Sequence, residues 1–390
     1  MDFDFSADQK QLQSEVRRFL SERCTRDTVR AVLEGPQAHD GKLWQQLGEL
    51  GYLGAAIPEE YGGTGAGYLE LCVIAEEIGR ALAPVPFASS ICLAAEVLLL
   101  AGTEEQKQAY LPDVASGRKI GTVAWVEGVG RARPGAVQAT VSNGVLNGRK
   151  TAVSDGEIAD FAIVGARAGQ DSDLSLYLVD LNAPGVTRTT VPSLDPSRTL
   201  AQIDFDAVAA EPLGQARKGW DTLSTALDRA AILMAFEQVG GADRALEMGR
   251  DYALGRFAFG RPIGSQQAIK HMLADMYVSA TLARSNCYYG AWALSTNSPE
   301  LAEAAATARV SATQAFLHCA RNNIQVHGGM GFTWEFDCHL YFRRANVLAL
   351  ALGSLSTWED ILVERLASRH AANRARQAAA GQASSLTRAA

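Results

Sequence analysis

The spacing of apolar residues changes twice along the chain, from helical to strand-like and back to helical. These two changes constrain the fold more than any other feature of the sequence. Residues 6–120 carry apolar side chains at helical spacing. Residues 121–214 form short β-branched and aromatic runs separated by Asn-Gly and Pro-Gly turns, a pattern typical of antiparallel strands. From Trp220 onward the helical spacing returns, in segments long enough for a bundle of about four helices. These segments lie near residues 221–255, 264–296, 299–326 and 345–370.

This pattern predicts an α+β multidomain fold, with helices at both ends of the chain and an antiparallel β domain between them. We expect an N-terminal helical domain over residues 1–120, a middle β domain over 121–218, a C-terminal four-helix bundle over 219–370 and a flexible tail over 371–390. The tail is rich in Ala, Arg, Gln and Ser, so little apolar burial opposes its conformational entropy.

The composition favours a globular protein that binds neither nucleic acid nor membrane. A chain of 390 residues that is 47% hydrophobic can bury a large core. Lys and Arg number 36 against 43 Asp and Glu, and the resulting net charge of -7 disfavours binding to nucleic acid. The longest apolar segment, residues 91–102, is interrupted by Glu96 and is too short to span a bilayer.

The six cysteines and the N-terminus indicate a cytoplasmic protein. Because the cysteines show no Cys-x-x-Cys spacing, we expect reduced thiols rather than a disulfide framework or a zinc site. Residues 1–8 are acidic and contain no long apolar run, which argues against a targeting peptide.

Two motifs in the last helical part carry the strongest functional signal. Residues 256–264 read Arg-Phe-Ala-Phe-Gly-Arg-Pro-Ile-Gly, and residues 325–335 read Gln-Val-His-Gly-Gly-Met-Gly-Phe-Thr-Trp-Glu. Arg256 falls near the end of a predicted helix, where a cation either caps the helix or binds a phosphate through two hydrogen bonds. Gly328 and Gly329 permit a diphosphate to approach the backbone closely.

These motifs, together with the order of helices and strands, resemble the acyl-CoA dehydrogenase family along nearly the whole chain. Residues 58–63 resemble the loop that follows the early helices of that family, and residues 79–84 and 331–345 resemble the branch that acts on bulky acyl thioesters. The resemblance implies FAD as cofactor and an acyl-CoA substrate. It also implies an electron-transfer flavoprotein or a similar acceptor as partner, and a homo- or heterotetramer of homologous subunits.

The resemblance also implies which side chains contact the flavin. In the family, an arginine and a phenylalanine at the first motif hold the adenine and pyrophosphate, the Gly-Gly loop approaches the diphosphate, and a hydroxyl after a β strand contacts the ring. The cofactor contacts implied for this chain are Arg256, Phe259, Gln267, Gln325, Gly328, Gly329 and Ser154. No metal site is implied.

The catalytic base of the family is missing from both of its usual positions. In the family a glutamate takes a proton from the α carbon of the thioester while a hydride leaves the β carbon for the flavin. In most members this glutamate precedes a Gly-Thr or Gly-Ser pair, and here Leu352 precedes Gly353 and Ser354. A second family position, on the first bundle helix, matches Ala230. Neither side chain can accept a proton.

Glu237 is the candidate for a displaced base. It lies on the otherwise apolar face of the first bundle helix, seven residues beyond Ala230 and therefore about 10 Å further along the axis. That displacement is large for proton transfer, and a buried glutamate paired with an arginine explains Glu237 more simply. Asp228 points elsewhere on the helix and is a weaker candidate.

The family residues that this chain lacks are those that contact or act beside the flavin ring. In the family, one chain supplies these residues and its neighbour supplies the contacts to the adenine end of the same flavin. Residues 126–134 depart from the glycine-rich run that touches the flavin ring in the family, and Ala152 to Ser154 retain only a hydroxyl of its Trp-Ile-Thr sequence. The leading hypothesis is a base-lacking subunit of a hetero-oligomer that lends phosphate contacts to a flavin ring bound in another chain. The alternatives are a self-sufficient homotetrameric dehydrogenase with Glu237 or another base, a flavin-free thioester-binding scaffold, and a flavin monooxygenase on the same fold.

Overall fold

A computed structural model describes residues 5–169 and 173–388. The predicted order of a helical part, a β part and a second helical part is confirmed. The N-terminal helices are α1 (Ala7–Arg23), α2 (Arg26–Glu34), α3 (Gly41–Glu49), α4 (Tyr68–Ala81), α5 (Phe87–Ser89), α6 (Glu96–Ala101) and α7 (Glu104–Ala115). A π-helical stretch, Ser90–Ala95, joins α5 to α6.

Capping fixes where two of these helices begin. The Ser6 hydroxyl accepts a hydrogen bond from the Gln9 amide while the Gln9 side chain accepts one from the Ser6 amide, so both orphan donors at the start of α1 are satisfied. Thr103 and Gln106 form the same capping box at the start of α7.

The β part is one sheet in which most strand pairs are antiparallel, as predicted, but two pairs are parallel, which we did not predict. Its strands are β1 (Gly121–Ala124), β2 (Thr140–Ser142), β3 (Val145–Ser154), β4 (Phe161–Ala168), β5 (Leu174–Asp180), β6 (Val186–Val191), β7 (Leu200–Ala209) and β8 (Glu211–Leu213). Within the described residues their order is β6-β7-β3-β2-β4-β5-β8, and most neighbours are antiparallel. β1 and β2, however, both pair with β4 in parallel, because the chain crosses over between them instead of turning back in a hairpin.

The C-terminal part is built on four long helices. They are α8 (Gly219–Gly255), α9 (Gln267–Ser295), α10 (Leu301–His327) and α12 (Leu355–Arg388), and a short hairpin of β9 (Phe257–Ala258) and β10 (Arg261–Pro262) links α8 to α9. α8, α9 and α10 pack against one another, and α12 packs on α10.

The segment predicted as one helix near residues 345–370 is instead broken. α11 (Cys338–Leu348) ends first, and α12 begins only at Leu355. Gly353 adopts a positive φ of 108°, which a helix cannot contain, and the Ser354 hydroxyl accepts a hydrogen bond from the Thr357 amide at the start of α12. The backbone of α12 continues through residues 371–388, where we expected a flexible tail, and the mobility of this segment stays a prediction.

The N-terminal helices and the bundle share one hydrophobic core, which α4 and α8 join at close range. Gly79 of α4 and Gly240 of α8 make this crossing possible. A Cβ atom on Gly79 would overlap the carbonyl oxygen of Glu237, and one on Gly240 would overlap that of Glu76. Along the described helices, no segment is both long and apolar enough to cross a bilayer.

Gly240→Ala is expected to lower the free energy of unfolding by about 1–3 kcal/mol, because the new methyl group must push two packed helices apart. Urea unfolding of the variant and its parent measures the difference. Gly255→Ala, at the exposed end of the same helix, meets no atom within 4 Å and should be neutral or stabilising. Equal effects of the two substitutions would contradict the role of the crossing.

Candidate functional site

A cavity of about 550 Å³ lies where the three parts of the chain meet. The N-terminal part contributes Ser89 and Leu93, the sheet contributes Trp125 and Ser154, and the bundle contributes Met234 and Leu317. Residues 346–352, which form the end of α11 and the start of its link to α12, close one side. Most of the wall is apolar, so the cavity can exclude water from a bound group.

Leu352 lines this cavity, whereas Ala230 does not. The Leu352 carbonyl accepts a hydrogen bond from the Trp358 indole at 3.1 Å, which fixes the end of the 346–352 segment. Ala230 is fully buried in helix packing, and Met234, one turn further along α8, reaches the cavity instead. Both usual positions of a base are therefore occupied by side chains that accept no proton.

Arg309 of α10 anchors the same segment from inside the bundle. Its guanidinium is fully buried and donates to the Gln238 side chain at 2.8 Å and to the carbonyl of Leu348. Burial lowers the pKa of Arg309 to about 10, only partly offset by the carboxylate of Glu237. A buried cation held on a carbonyl explains why this segment keeps a fixed path beside the cavity.

Glu237, three residues beyond Met234 on α8, is buried but does not line the cavity. It accepts a hydrogen bond from Arg198, and the Arg344 guanidinium lies 3.6 Å from its carboxylate. The structure thus places Glu237 in a buried ion-pair cluster. Asp228 is also buried, and it pairs with Arg365 at 2.8 Å. Burial raises the pKa of Asp228 to about 6, against the opposing charge of Arg365.

Arg344 of α11 is the centre of that cluster. It donates to Asp195 at 2.6 Å and to the Ser197 hydroxyl at 2.9 Å. Burial alone would lower the pKa of Arg344, but the carboxylates of Asp195 and Glu237 raise it above its ordinary value. Burial opposes ionisation of Asp195 as well, yet Arg344 and the Ser197 hydroxyl lower the pKa of that carboxyl.

Asp155 is the acidic side chain that does line the cavity, and the sequence analysis did not identify it. It follows Ser154 at the end of β3 and has a positive φ of 53°. Its carboxylate accepts hydrogen bonds from the hydroxyls of Ser89 at 2.6 Å and Thr199 at 3.3 Å. The available signal was an Asp-Gly pair directly after Ser154, which resembles an ordinary turn.

The remaining predicted contacts lie together at one end of the bundle. α8 and α10 end side by side there, because Tyr252 stacks on His327 with ring centroids 4.1 Å apart. The backbone carbonyl of Arg256 accepts from the Ile263 amide at 2.8 Å and so closes the β9–β10 hairpin at the start of α9. The six predicted residues at this end are Arg256, Phe259, Gln267, Gln325, Gly328 and Gly329.

This end of the bundle fits a diphosphate. Gly328 has φ 60°, and a Cβ atom on Gly328 or Gly329 would meet nothing within 4 Å, so the backbone is open to a ligand. The Arg256 side chain is exposed and makes no ion pair with a described residue. In the described residues no cluster of His, Cys, Asp and Glu could hold a metal ion.

The structure does not bring these six residues to the cavity that Ser154 lines. Arg256 directly follows the last residue of α8 and lies 22 residues beyond Met234. At roughly 1.5 Å per residue this separation is about 33 Å along the helix axis. The phosphate-type contacts and the cavity of one chain are therefore separate features of the molecule.

Comparison with known proteins gives consistent matches. The family model described as the acyl-CoA dehydrogenase N-terminal domain matches residues 6–118, and that for the acyl-CoA dehydrogenase C-terminal domain matches residues 217–379. Acyl-CoA dehydrogenase IpdE2 of Mycobacterium tuberculosis is 34% identical over 348 residues, covering 89% of this chain and 93% of the relative.

Two similar solved structures carry two protein names each. The ChsE4-ChsE5 complex from Mycobacterium tuberculosis matches with a TM-score of 0.86 and 30% identity, over 94% of this chain and 99% of the matched chain. A variant of the Tcur3481-Tcur3483 steroid ACAD matches with a TM-score of 0.84 and 31% identity, over 93% and 99% of the two chains.

Proposed function

The chain belongs to the acyl-CoA dehydrogenase family, and from that premise we propose that it takes part in α,β-dehydrogenation of an acyl-CoA thioester as the base-lacking subunit of a hetero-oligomer. The reaction class, oxidation of a CH–CH bond, follows from the family. We further propose FAD as the cofactor, a cytoplasmic location and an electron-transfer flavoprotein or similar electron acceptor.

The observation that carries the proposal is Leu352 in the cavity wall. Proton abstraction from an α carbon requires a carboxylate within hydrogen-bonding distance of that carbon. Leu352 and Ala230 supply none, and Glu237 does not line the cavity and is paired with Arg198 and Arg344. A homologous chain in the same assembly would then supply the base for the reaction.

Exposed aromatic side chains support an assembled state. Phe257, Phe259 and Phe332 are 63%, 97% and 84% exposed, and they lie in the hairpin and loop of the bundle end, close to Arg256 and Gly328. Clustered aromatic exposure is unfavourable in an isolated soluble chain and indicates a surface that a partner covers. The two solved neighbours with paired names are consistent with a partner chain of the same family.

The residues of this chain would bind the cofactor, and the cofactor would supply the redox chemistry. Bound FAD would supply the hydride acceptor. Arg256 would neutralise the diphosphate, the backbone at Gly328 and Gly329 would let it approach, and Gln325 would add a hydrogen bond. These groups bind and orient, and none of them moves a proton. Their separation from the cavity of the same chain supports a flavin that bridges two subunits.

A second candidate function is a self-sufficient dehydrogenase, and the position of Asp155 favours it. Asp155 lines the cavity and carries a carboxylate, which is the chemical group that the reaction requires. Each of its carboxylate oxygens already accepts a hydrogen bond from a hydroxyl, however, and this restricts its approach to a substrate carbon.

The test is purification of the chain alone and together with a homologous chain encoded beside it, followed by measurement of flavin per chain and turnover. We expect no turnover from the chain alone, and turnover with about one flavin per two chains from the pair. A full flavin per chain with turnover by the chain alone would refute the proposal. If that turnover were also abolished by Asp155→Asn, the self-sufficient enzyme would replace it.

A further inference from the structure

One polar part of the cavity wall is a hydrogen-bonded group of side chains that we call the hydroxyl cluster, namely Ser89, Asp155 and Thr199. All three are buried and line the cavity, yet they come from different parts of the chain. Asp155 follows β3, Ser89 ends α5 and Thr199 precedes β7. The cluster therefore exists only in the folded cavity, where it adds hydrogen-bonding groups to a mostly apolar wall.

The hydrogen atoms of the cluster are used within it. Each hydroxyl has one hydrogen to donate and two lone pairs with which to accept. Ser89 donates to one carboxylate oxygen of Asp155 at 2.6 Å, and Thr199 donates to the other at 3.3 Å. What the cluster retains is spare capacity to accept hydrogen bonds, on the carboxylate and on both hydroxyl oxygens.

The terminal nitrogens of the neighbouring cation, Arg198, are used outside the cluster. Arg198 and Asp155 are the two charged residues among the described lining residues, so the wall carries no net charge. Arg198 donates to the Val85 carbonyl at 2.7 Å and to Glu237, and it makes no ion pair with Asp155. A carboxylate or an ammonium group on a ligand would leave one charge in excess in a buried site, which is costly.

We propose that this cavity binds an apolar acyl group that carries a neutral hydroxyl, and that the hydroxyl cluster accepts the hydrogen of that hydroxyl. The inference rests on the proposed function only in taking the acyl group as a CoA thioester. A cavity of about 550 Å³ lined by Leu93, Met234 and Leu317 accommodates a branched or ring-bearing group. The cluster itself offers acceptors, so at this position it favours a hydroxyl over a ketone, which has no hydrogen to donate.

A purely architectural role for Asp155 is the competing explanation. Its backbone amide already donates to the Thr199 carbonyl at 2.9 Å, and its carbonyl accepts from the Ile158 and Ala159 amides. The turn is therefore held without the side chain. The carboxylate adds a link to Ser89, and it does so at the surface of a cavity rather than within packed core.

The test measures binding without turnover, by titration calorimetry in the absence of oxygen and electron acceptor, on the protein assembled with its partner if it has one. The probes are three CoA thioesters, those of 3-cyclohexylpropanoate, 3-(4-hydroxycyclohexyl)propanoate and 3-(4-oxocyclohexyl)propanoate. We expect the hydroxy probe to bind about tenfold more tightly than either of the others. Equal affinities, tighter binding of the oxo probe, or no binding of any probe would overturn the inference. This test does not measure flavin content or turnover. Failure of the inference can therefore be distinguished from failure of the proposed function.

Two variants locate the effect. Asp155→Asn replaces an acceptor oxygen by an amide donor, so the preference for the hydroxy over the oxo probe should fall to about one. Thr199→Val, a milder change that removes one hydroxyl, should reduce the preference if Asp155→Asn does not fold. Ser285→Ala removes a hydroxyl that donates to the Thr281 carbonyl on the exposed side of α9 and should leave the tenfold preference intact. Loss of stability with an unchanged preference would assign Asp155 to architecture alone.

Discussion

Arg344→Met is expected to lower the free energy of unfolding by about 3–5 kcal/mol, the typical cost of breaking a buried ion pair from one side. Methionine keeps much of the side-chain volume but leaves the carboxylates of Asp195 and Glu237 buried with less compensation. It also leaves the Leu82 carbonyl and the Ser197 hydroxyl without the donor that they share. Urea unfolding followed by circular dichroism measures the loss.

The adjacent residue provides the matched control. Arg343 is partly exposed, donates to the Leu194 carbonyl at 2.8 Å and lies over the Trp334 ring. Arg343→Met should cost no more than about 1 kcal/mol, because water can solvate the groups that it leaves behind. If the two variants proved equally stable, the cluster around Arg344 would contribute little to the fold.

Arg256→Ala is expected to weaken retention of FAD by the assembled protein by about 10- to 100-fold. Hydrogen bonds to a charged group contribute roughly 1.5–3 kcal/mol, and each 1.4 kcal/mol is tenfold in affinity. The Arg256 side chain is exposed and makes no ion pair with a described residue, so its removal should cost the fold little. Flavin absorbance per chain after dialysis, measured over a series of dilutions, gives the apparent affinity.

Arg261→Ala controls for loss of a positive charge in the same hairpin. Arg261 is exposed and donates to the Gln266 side chain at 2.6 Å, so it is committed to a local contact. We expect its replacement to change flavin retention by less than about threefold, since only long-range attraction is lost. Comparable losses from both variants would mean that general charge, rather than a specific contact at Arg256, retains the cofactor.

The order of helices and strands was predictable because hydrophobic spacing is a local property of the sequence. The break between α11 and α12 was not, because Leu348 to Leu352 look like a continuation of a helix until Gly353 adopts a positive φ. The parallel pairing of β1 with β4 was also missed, since it depends on a crossover that no local pattern encodes.

Site residues that belong to short sequence motifs could be predicted, whereas those that come together only through packing could not. The residues around Arg256 and Gly328 belong to short motifs, and the folding of α8 and α10 brings those motifs to one end of the bundle. Burial of Glu237 was expected from its apolar helix face. Pairing with an arginine was expected as well, but which arginine was not, because Arg198 reaches Glu237 from the β part of the chain. Asp155 was missed for the same reason, since only the meeting of three parts makes it a cavity residue.

At the crossing of α4 and α8, Gly79 packs on the backbone at Glu237 and Gly240 packs on the backbone at Glu76, with no side chain between the two helices at these points. Close backbone packing of this kind resists sliding of one helix along the other. We therefore expect a thioester to enter by displacement of a few residues at the rim, such as the exposed Leu350, rather than by opening of one half of the molecule against the other. Recombination of gene segments between related chains would have to keep both glycines, because each one leaves room for the backbone of the other helix.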